Sequence, residues 1–221
     1  MQDGAKQENK VKIRHIAAWS LFYIAIYSSL TVASCFLLPE QALATIGIIG
    51  AVFVLVNIFL FPFRRKWLFV GGIISALGVM CGGIWIGKQL DTEGVLSIGA
   101  VVTAMDILSF TKIGKRTVNA KAMSNVRLAS KLFVYGKEKG DTLIPTCGIG
   151  DYLSYAIWIS GIHSVSSSVY AYVIAAVMIF LGTAIQHMVI AELSKKPNYK
   201  GFPGTVFPFL CILAEYLLLG R

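Results

Sequence analysis

The chain has 221 residues, of which 56% are hydrophobic and only 14% are charged, and its mean hydropathy is +0.71. Soluble domains carry about 25% charged residues, so this composition excludes an ordinary soluble globule, and also a disordered or collagen-like chain. The net charge of +9 would indicate nucleic-acid binding in a soluble protein. Here, however, the apolar runs are long enough to cross a bilayer. We therefore predict an integral, multi-pass membrane protein whose partner is the lipid bilayer and not nucleic acid.

The apolar runs predict an all-α, polytopic transmembrane bundle of about seven spans. Each run is close to the roughly 20 residues that a spanning helix needs. The runs cover residues 16–38, 42–63, 67–87, 94–111, 143–162, 169–191 and 202–219. Of the 20 Lys and Arg residues, all but Lys88 and Arg221 lie in the N-terminal segment or in the gaps after the second, fourth and sixth runs. The positive-inside rule then places the N-terminus in the cytoplasm.

The pattern divides the chain into three parts. Residues 1–15 form a polar cytoplasmic tail, and residues 16–93 a three-helix scaffold without charged spans, rich in glycines suited to close helix packing. Residues 94–221 form a four-helix part that contains a long basic cytoplasmic loop, 112–142. Within this loop, apolar residues recur at helical spacing over residues 120–133, which indicates an amphipathic helix at the membrane surface. A solvated loop remains the alternative there.

Cysteine and histidine residues indicate neither a disulfide framework nor a metal centre. No CxxC pair and no HExxH motif is present, so the cysteines are predicted to be small buried residues and no metal or cofactor is implied. The residues concerned are Cys35, Cys81, Cys147, Cys211, His15, His163 and His187. Residues 32–35 are similar to a lipoprotein signal, but the apolar run before them is long and six further runs follow. We therefore interpret the first run as an uncleaved helix.

Three acidic residues fall within the predicted spans: Asp106, Asp151 and Glu215. An ionisable side chain inside a bilayer costs a few kcal/mol or more, so each is a candidate functional residue. Glu215 is near the outer end of the last span, where we expect its carboxylate to reach the interface. Asp106 is predicted about five residues before the end of an inward-running helix and Asp151 about two turns into the next, outward-running one, so both lie at similar depth below the cytoplasmic interface.

Two carboxylates at the same depth can share one proton and activate a water molecule, one acting as base and the other as acid. This chemistry favours an aspartic-type hydrolase with Asp106 and Asp151 as its catalytic pair, facing the cytoplasmic side. A proton or cation pathway through a transporter also uses intramembrane carboxylates and is the alternative from a different class.

The segment Gly148-Ile149-Gly150-Asp151-Tyr152-Leu153-Ser154-Tyr155 resembles the catalytic GxGD segment of the presenilin and signal peptide peptidase family of intramembrane aspartyl proteases, most of all presenilins and their archaeal homologues. Asp106-Ile107-Leu108-Ser109 is similar to that family's first catalytic aspartate and its sequel. Lys200-Gly201-Phe202-Pro203-Gly204-Thr205 occupies the place of the family's PAL motif. The resemblance covers about residues 94–221.

This resemblance implies catalytic roles for Asp106 and Asp151 and the cleavage of single-span membrane proteins, without a cofactor or metal. It also implies contacts with the substrate from Gly148, Ile149, Gly150, Pro203, Gly204 and Thr205. Met105 replaces a tyrosine usual in the family, Gly204-Thr205 replaces the Ala-Leu of PAL, and two of nine usual spans are missing. Three alternatives remain: a prepilin-peptidase-like GxGD protease, a proton-coupled transporter, and an inactive scaffold of protease ancestry. The prepilin peptidases favour a lysine soon after GxGD, where this chain has Tyr152-Leu153-Ser154.

Overall fold

The computed structural model describes residues 2–111, 114, 124–138, 142–196 and 202–220, with side chains from residue 13 onward. Its first half consists of four helices joined by short links. They are α1 (Gln2–Leu37), α2 (Glu40–Phe59), α3 (Arg65–Gln89) and α4 (Thr92–Ser109). The described residues of the predicted tail, 2–15, are helical and continue into the first apolar helix, since α1 begins at Gln2.

The second half contains shorter elements and one two-stranded sheet. They are α5 (Val126–Lys131), β1 (Phe133–Lys137), β2 (Leu143–Gly148), α6 (Ile149–Ser160), a 3₁₀ turn (Gly161–Ser164), α7 (Val169–Leu193) and α8 (Val206–Leu219). Of the predicted loop 112–142, the structure describes residues 114, 124–138 and 142. Of the predicted amphipathic segment 120–133, it describes residues 124–133. Residues 112–113, 115–123 and 139–141 lie outside the described part of the chain.

Five of the described helices are long and apolar enough to cross a membrane: α1 from Ile13 onward, α2, α3, α4 and α7. Their exposed surface is rich in large apolar side chains, as on α2 at Ile48, Ile49 and Leu55. The chain is therefore helical with the composition of a membrane protein, as predicted. Neither α6, with 12 residues, nor α8, with 14, has the length of a spanning helix.

The predicted fifth and seventh spans start too early. Residues 143–148 form β2 because Pro145 lacks the N–H that a helix interior requires and β1 supplies a partner strand. Likewise, residues 202–205 precede α8 in non-helical conformation, with Pro203 among them. The two strands are antiparallel, with Tyr135 opposite Pro145 and Lys137 opposite Leu143. The fold is all-helical apart from this short hairpin, which the sequence did not predict.

Close contact between glycines joins α2 to α3. A β carbon on Gly47 would lie 2.5 Å from the Cα of Gly82, and one on Gly50 would lie 2.3 Å from the Cα of Gly78. The backbones therefore touch directly, as small residues permit between membrane helices. This confirms the predicted close packing of the scaffold glycines.

The central helix of the bundle is α6. It packs against α1, α3, α4 and α7, and it contacts α8 where the Tyr216 hydroxyl donates to the Trp158 carbonyl at 3.0 Å. Trp158 is completely buried. Because neighbouring helices surround it, α6 does not need the length that a lipid-facing span requires, and it can begin inside the protein.

The N-terminal helix holds the hairpin against the bundle. The Trp19 indole N–H donates to the Lys137 carbonyl and the Tyr23 hydroxyl to the Tyr135 carbonyl, both at 2.9 Å. On the other side, a β carbon on Gly72 of α3 would lie 2.6 Å from the Phe133 carbonyl oxygen. These contacts fix β1, and β2 then leads directly into the first residue of α6.

Candidate functional site

Asp106 lies in the last turn of α4 and is only partly buried. Its Oδ2 accepts two hydrogen bonds from Thr205, one from the backbone N–H and one from the side-chain hydroxyl, each at 3.1 Å. Thr205 itself is 3% exposed and immediately precedes α8. The contact therefore ties the inner end of α4 to the start of the last helix.

Asp151 lies in the first turn of α6, just after the end of β2. Its Oδ2 accepts a hydrogen bond from the backbone N–H of Gly148 at 3.0 Å. An acidic side chain in the first turn of a helix interacts favourably with the unpaired N–H groups and the dipole there. The GxGD segment thus forms the strand-to-helix junction, and its first glycine positions the aspartate.

Gly204 lies against the second aspartate. A β carbon on Gly204 would lie 3.3 Å from Oδ1 and 3.4 Å from Oδ2 of Asp151. Because Thr205, the next residue, binds Asp106, two consecutive residues contact one carboxyl group each. The two aspartates therefore lie against neighbouring residues of one short segment, Gly204–Thr205.

The sequence did not predict one contact at this site. The Tyr155 hydroxyl donates to the Gly204 carbonyl at 3.3 Å, and Tyr155 is 4% exposed. Tyr155 follows Asp151 by four residues, so both lie on one face of α6. That spacing was the available signal, but an aromatic residue in an apolar helix is most often simple packing.

The other predicted site residues lie in different surroundings. Pro203 is buried in the segment that precedes α8, directly before Gly204. The Ile149 side chain is buried at 4% exposure, so it faces the core and not an approaching ligand. Gly150 is exposed, and a β carbon there would meet no atom within 4 Å. Of the GxGD segment, Gly150 alone presents an open surface.

Glu215, the third acid of the predicted spans, does not extend to the protein surface. It is 3% exposed on the buried face of α8, and neither carboxyl oxygen has a hydrogen-bond partner among the described residues. The expectation that it would extend to the surface is therefore wrong. The helix turns Glu215 toward the bundle together with its neighbour Tyr216 and with Ile212, one turn before it.

The cysteines are unpaired, and Cys35, Cys81 and Cys147 are buried, as predicted for small core residues. Among the described residues, no three His, Cys, Asp or Glu side chains are grouped so that they could hold a metal ion. The chemistry that the arrangement offers is thus that of two neighbouring carboxyl groups.

A scan against models of known protein families finds no match to the chain, and searches of curated proteins and of solved structures find none either.

Proposed function

We propose that this chain is an intramembrane aspartyl protease that hydrolyses peptide bonds within single-span membrane proteins. The observation that carries the proposal is the placement of Gly204 and Thr205, adjacent in sequence, against Asp151 and Asp106 respectively. This segment occupies the place of the PAL motif in the family that the sequence resembles. The GxGD segment at the start of α6 and the Gly204–Thr205 segment before α8 are far apart in sequence, and both thus lie at one site with Asp106.

Asp106 and Asp151, which we call the dyad, act as a pair in this mechanism. A water molecule bound between them loses a proton to one carboxylate while the other carboxyl group donates a hydrogen bond to the substrate carbonyl. The attacking oxygen forms a tetrahedral intermediate, and proton transfer to the amide nitrogen lets the peptide bond break. The pair needs no metal for these steps, and its protons belong to the dyad and not to either residue alone.

A substrate helix has to unwind before its carbonyl can be attacked, because its backbone groups are hydrogen-bonded within the helix. An unwound segment needs new partners, which an exposed strand edge can supply. The backbone around Pro203 is poorly suited to this role, since the Thr205 N–H and the Gly204 carbonyl already have partners within the protein. We therefore assign strand pairing to β2, whose only partner among the described residues is β1.

Access from the lipid is consistent with the position of α4. Met105 and Ile107 on either side of Asp106 are each 44% exposed, so the helix that carries the first aspartate borders the lipid directly. A substrate helix can therefore approach the site laterally. With the basic gaps on the cytoplasmic side, the site faces the cytoplasmic half of the membrane.

The test is cleavage of a model single-span substrate by the full chain purified in detergent. We expect cleavage by the wild type and none by Asp106→Asn or Asp151→Asn. A matched control is Asp91→Asn, because Asp91 caps α4 by accepting the Gly94 N–H at 2.8 Å and asparagine caps helices equally well. Unchanged cleavage in either dyad variant would exclude the protease mechanism.

Glu215 favours a second candidate, a proton-coupled transporter, because buried carboxylates without partners also occur along proton pathways. In that case Glu215→Gln would abolish proton-driven uptake into proteoliposomes, and Asp106→Asn would do the same. If the wild type neither cleaves nor transports, the alternative of an inactive scaffold of protease ancestry is favoured.

A further inference from the structure

Six basic side chains surround the start of α3, on the side that we predict to be cytoplasmic. One immediately precedes α3, two lie in its first turn, two belong to α5 and one to β1. We call them the basic patch: Arg64, Arg65, Lys66, Arg127, Lys131 and Lys137.

Direct contacts show that these elements form one surface. The Lys131 ammonium donates to the carbonyls of Ile58 and Phe61, at 2.8 and 2.7 Å, and so fixes α5 to the end of α2. Arg127 lies one helical turn before Lys131 on α5. The Lys137 ammonium lies 4.8 Å from the centre of the Phe69 ring, one turn into α3. The patch is therefore a continuous surface built from three elements.

No acidic residue in the described part of the chain forms an ion pair with a member of the basic patch. The ion pairs among the described residues are His15–Glu138 and Lys195–Glu192, and neither includes a member of the basic patch. Lys131 is occupied by the two carbonyls, but the other five members are exposed. Like charges placed together repel one another unless an anion lies between them.

Apolar and aromatic side chains border the charges. Phe63 is 48% and Trp67 42% exposed, on either side of the three consecutive basic residues. Next to them, Phe59 and Leu60 at the end of α2 are 77% and 74% exposed. Aromatic residues of this kind lie at the level of lipid headgroups, with apolar side chains beneath them in contact with acyl chains. The patch therefore has the residue types expected of a surface at the depth of lipid phosphates.

We propose that the basic patch binds the headgroups of anionic phospholipids. A phospholipid fits both halves of the surface, since its phosphate neutralises the cations and its chains cover Phe59 and Leu60. A soluble phosphate would satisfy only the first half. The bound lipid links the α2–α3 turn, α5 and β1, and β1 pairs with the strand that leads to Asp151. The binding is independent of any catalytic activity of the dyad.

The experiment measures thermal unfolding of the full chain in detergent micelles with added phosphatidylglycerol, phosphatidylcholine or inorganic phosphate. We expect phosphatidylglycerol to raise the melting temperature by about 3–6 °C relative to phosphatidylcholine, and inorganic phosphate to leave it unchanged. The variant Arg64→Gln/Arg65→Gln should lose most of this rise. Lys195→Gln/Lys196→Gln, which removes two exposed charges from the same side of the protein, should keep it.

Equal shifts with both lipids would overturn the proposal, as would equal losses in the two double variants, because either result shows a general charge effect. An equal rise with inorganic phosphate would assign the patch to a soluble anion and overturn the lipid. Native mass spectrometry provides a measurement that does not depend on stability. The wild type and Lys195→Gln/Lys196→Gln should retain bound phosphatidylglycerol, and Arg64→Gln/Arg65→Gln should not; retention by all three would contradict the site.

Discussion

Thr205 holds Asp106 through two donors at once, since its backbone N–H and its hydroxyl both lie 3.1 Å from the same carboxylate oxygen. The two residues are 99 positions apart in the chain, so the contact fixes the end of α4 relative to the start of α8. A carboxyl group in a low-dielectric site needs such donors to remain in one orientation. In the proposed protease, the Thr205 hydroxyl donates a hydrogen bond to Asp106, which the leucine of a PAL motif at the same place could not do.

Replacement of Thr205 by valine tests this relationship, because valine keeps the shape and the N–H but removes the hydroxyl. A hydrogen bond to a charged group contributes about 1.5–3 kcal/mol, so the cleavage rate should fall by about tenfold or more. Thr205→Ser retains the donor and should remain close to the wild type. The measurement is the turnover rate of a single-span substrate, with melting temperatures recorded for all three proteins. Wild-type turnover in Thr205→Val would show that the hydroxyl does not position Asp106.

A substitution at Gly150 is expected to lower cleavage without lowering stability. Alanine at this position would contact no atom of the protein within 4 Å, and alanine is the better helix former by about 0.5–1 kcal/mol. Gly150→Ala should therefore melt at the same temperature as the wild type or slightly above it. Because Gly150 is the open surface of the GxGD segment, we expect the same substitution to lower cleavage by hindering the approach of the substrate backbone. Full activity in the stable variant would remove Gly150 from the substrate site.

The helices that can be predicted from the sequence are those whose composition decides their structure. The positions of α2, α3, α4 and α7 and the C-terminal end of α1 follow from the apolar runs, because a long segment with few charges has few alternatives in a bilayer. The start of α1 at Gln2, within the predicted tail, does not follow from them. The hairpin could not be predicted in this way. Residues 143–148 are apolar enough to be read as the first turns of α6, which follows them directly. Their pairing with β1 makes them a strand instead.

The candidate site was predictable to a similar degree. The depth of Asp106 and Asp151 followed from the direction of their helices, and the structure brings both to one place. The contacts that organise the site, from Tyr155 and Thr205, depend on how α6 and α8 rotate about their own axes. Hydropathy does not encode this rotation. For the same reason Glu215, near the end of a span, was expected at the interface and lies in the interior.

The glycine contact between α2 and α3 can be tested by two alanine substitutions, one on each of the two glycines that face each other. A β carbon on Gly47 would lie 2.5 Å from the Cα of Gly82, whereas one on Gly82 would have its nearest atom at 3.5 Å, the Cα of Gly47. Gly47→Ala should force the backbones apart and destabilise the fold by about 1–3 kcal/mol. Gly82→Ala should leave the melting temperature unchanged or raise it slightly. Equal destabilisation by both would show that the helices pack differently.

Glu215 is buried, and within the described part of the chain neither of its oxygens has a hydrogen-bond partner. Such a group costs free energy that an apolar side chain of similar size does not. Glu215→Leu should therefore stabilise the protein by about 1–3 kcal/mol, measured by thermal unfolding in detergent. Glu93→Leu is the control, because Glu93 is exposed and its replacement should change stability by no more than about 0.5 kcal/mol. If Glu215→Leu is stabilised and still cleaves substrate, the carboxyl group has no part in the chemistry. A stabilised variant that has lost cleavage would instead identify Glu215 as a residue kept for function at the expense of stability.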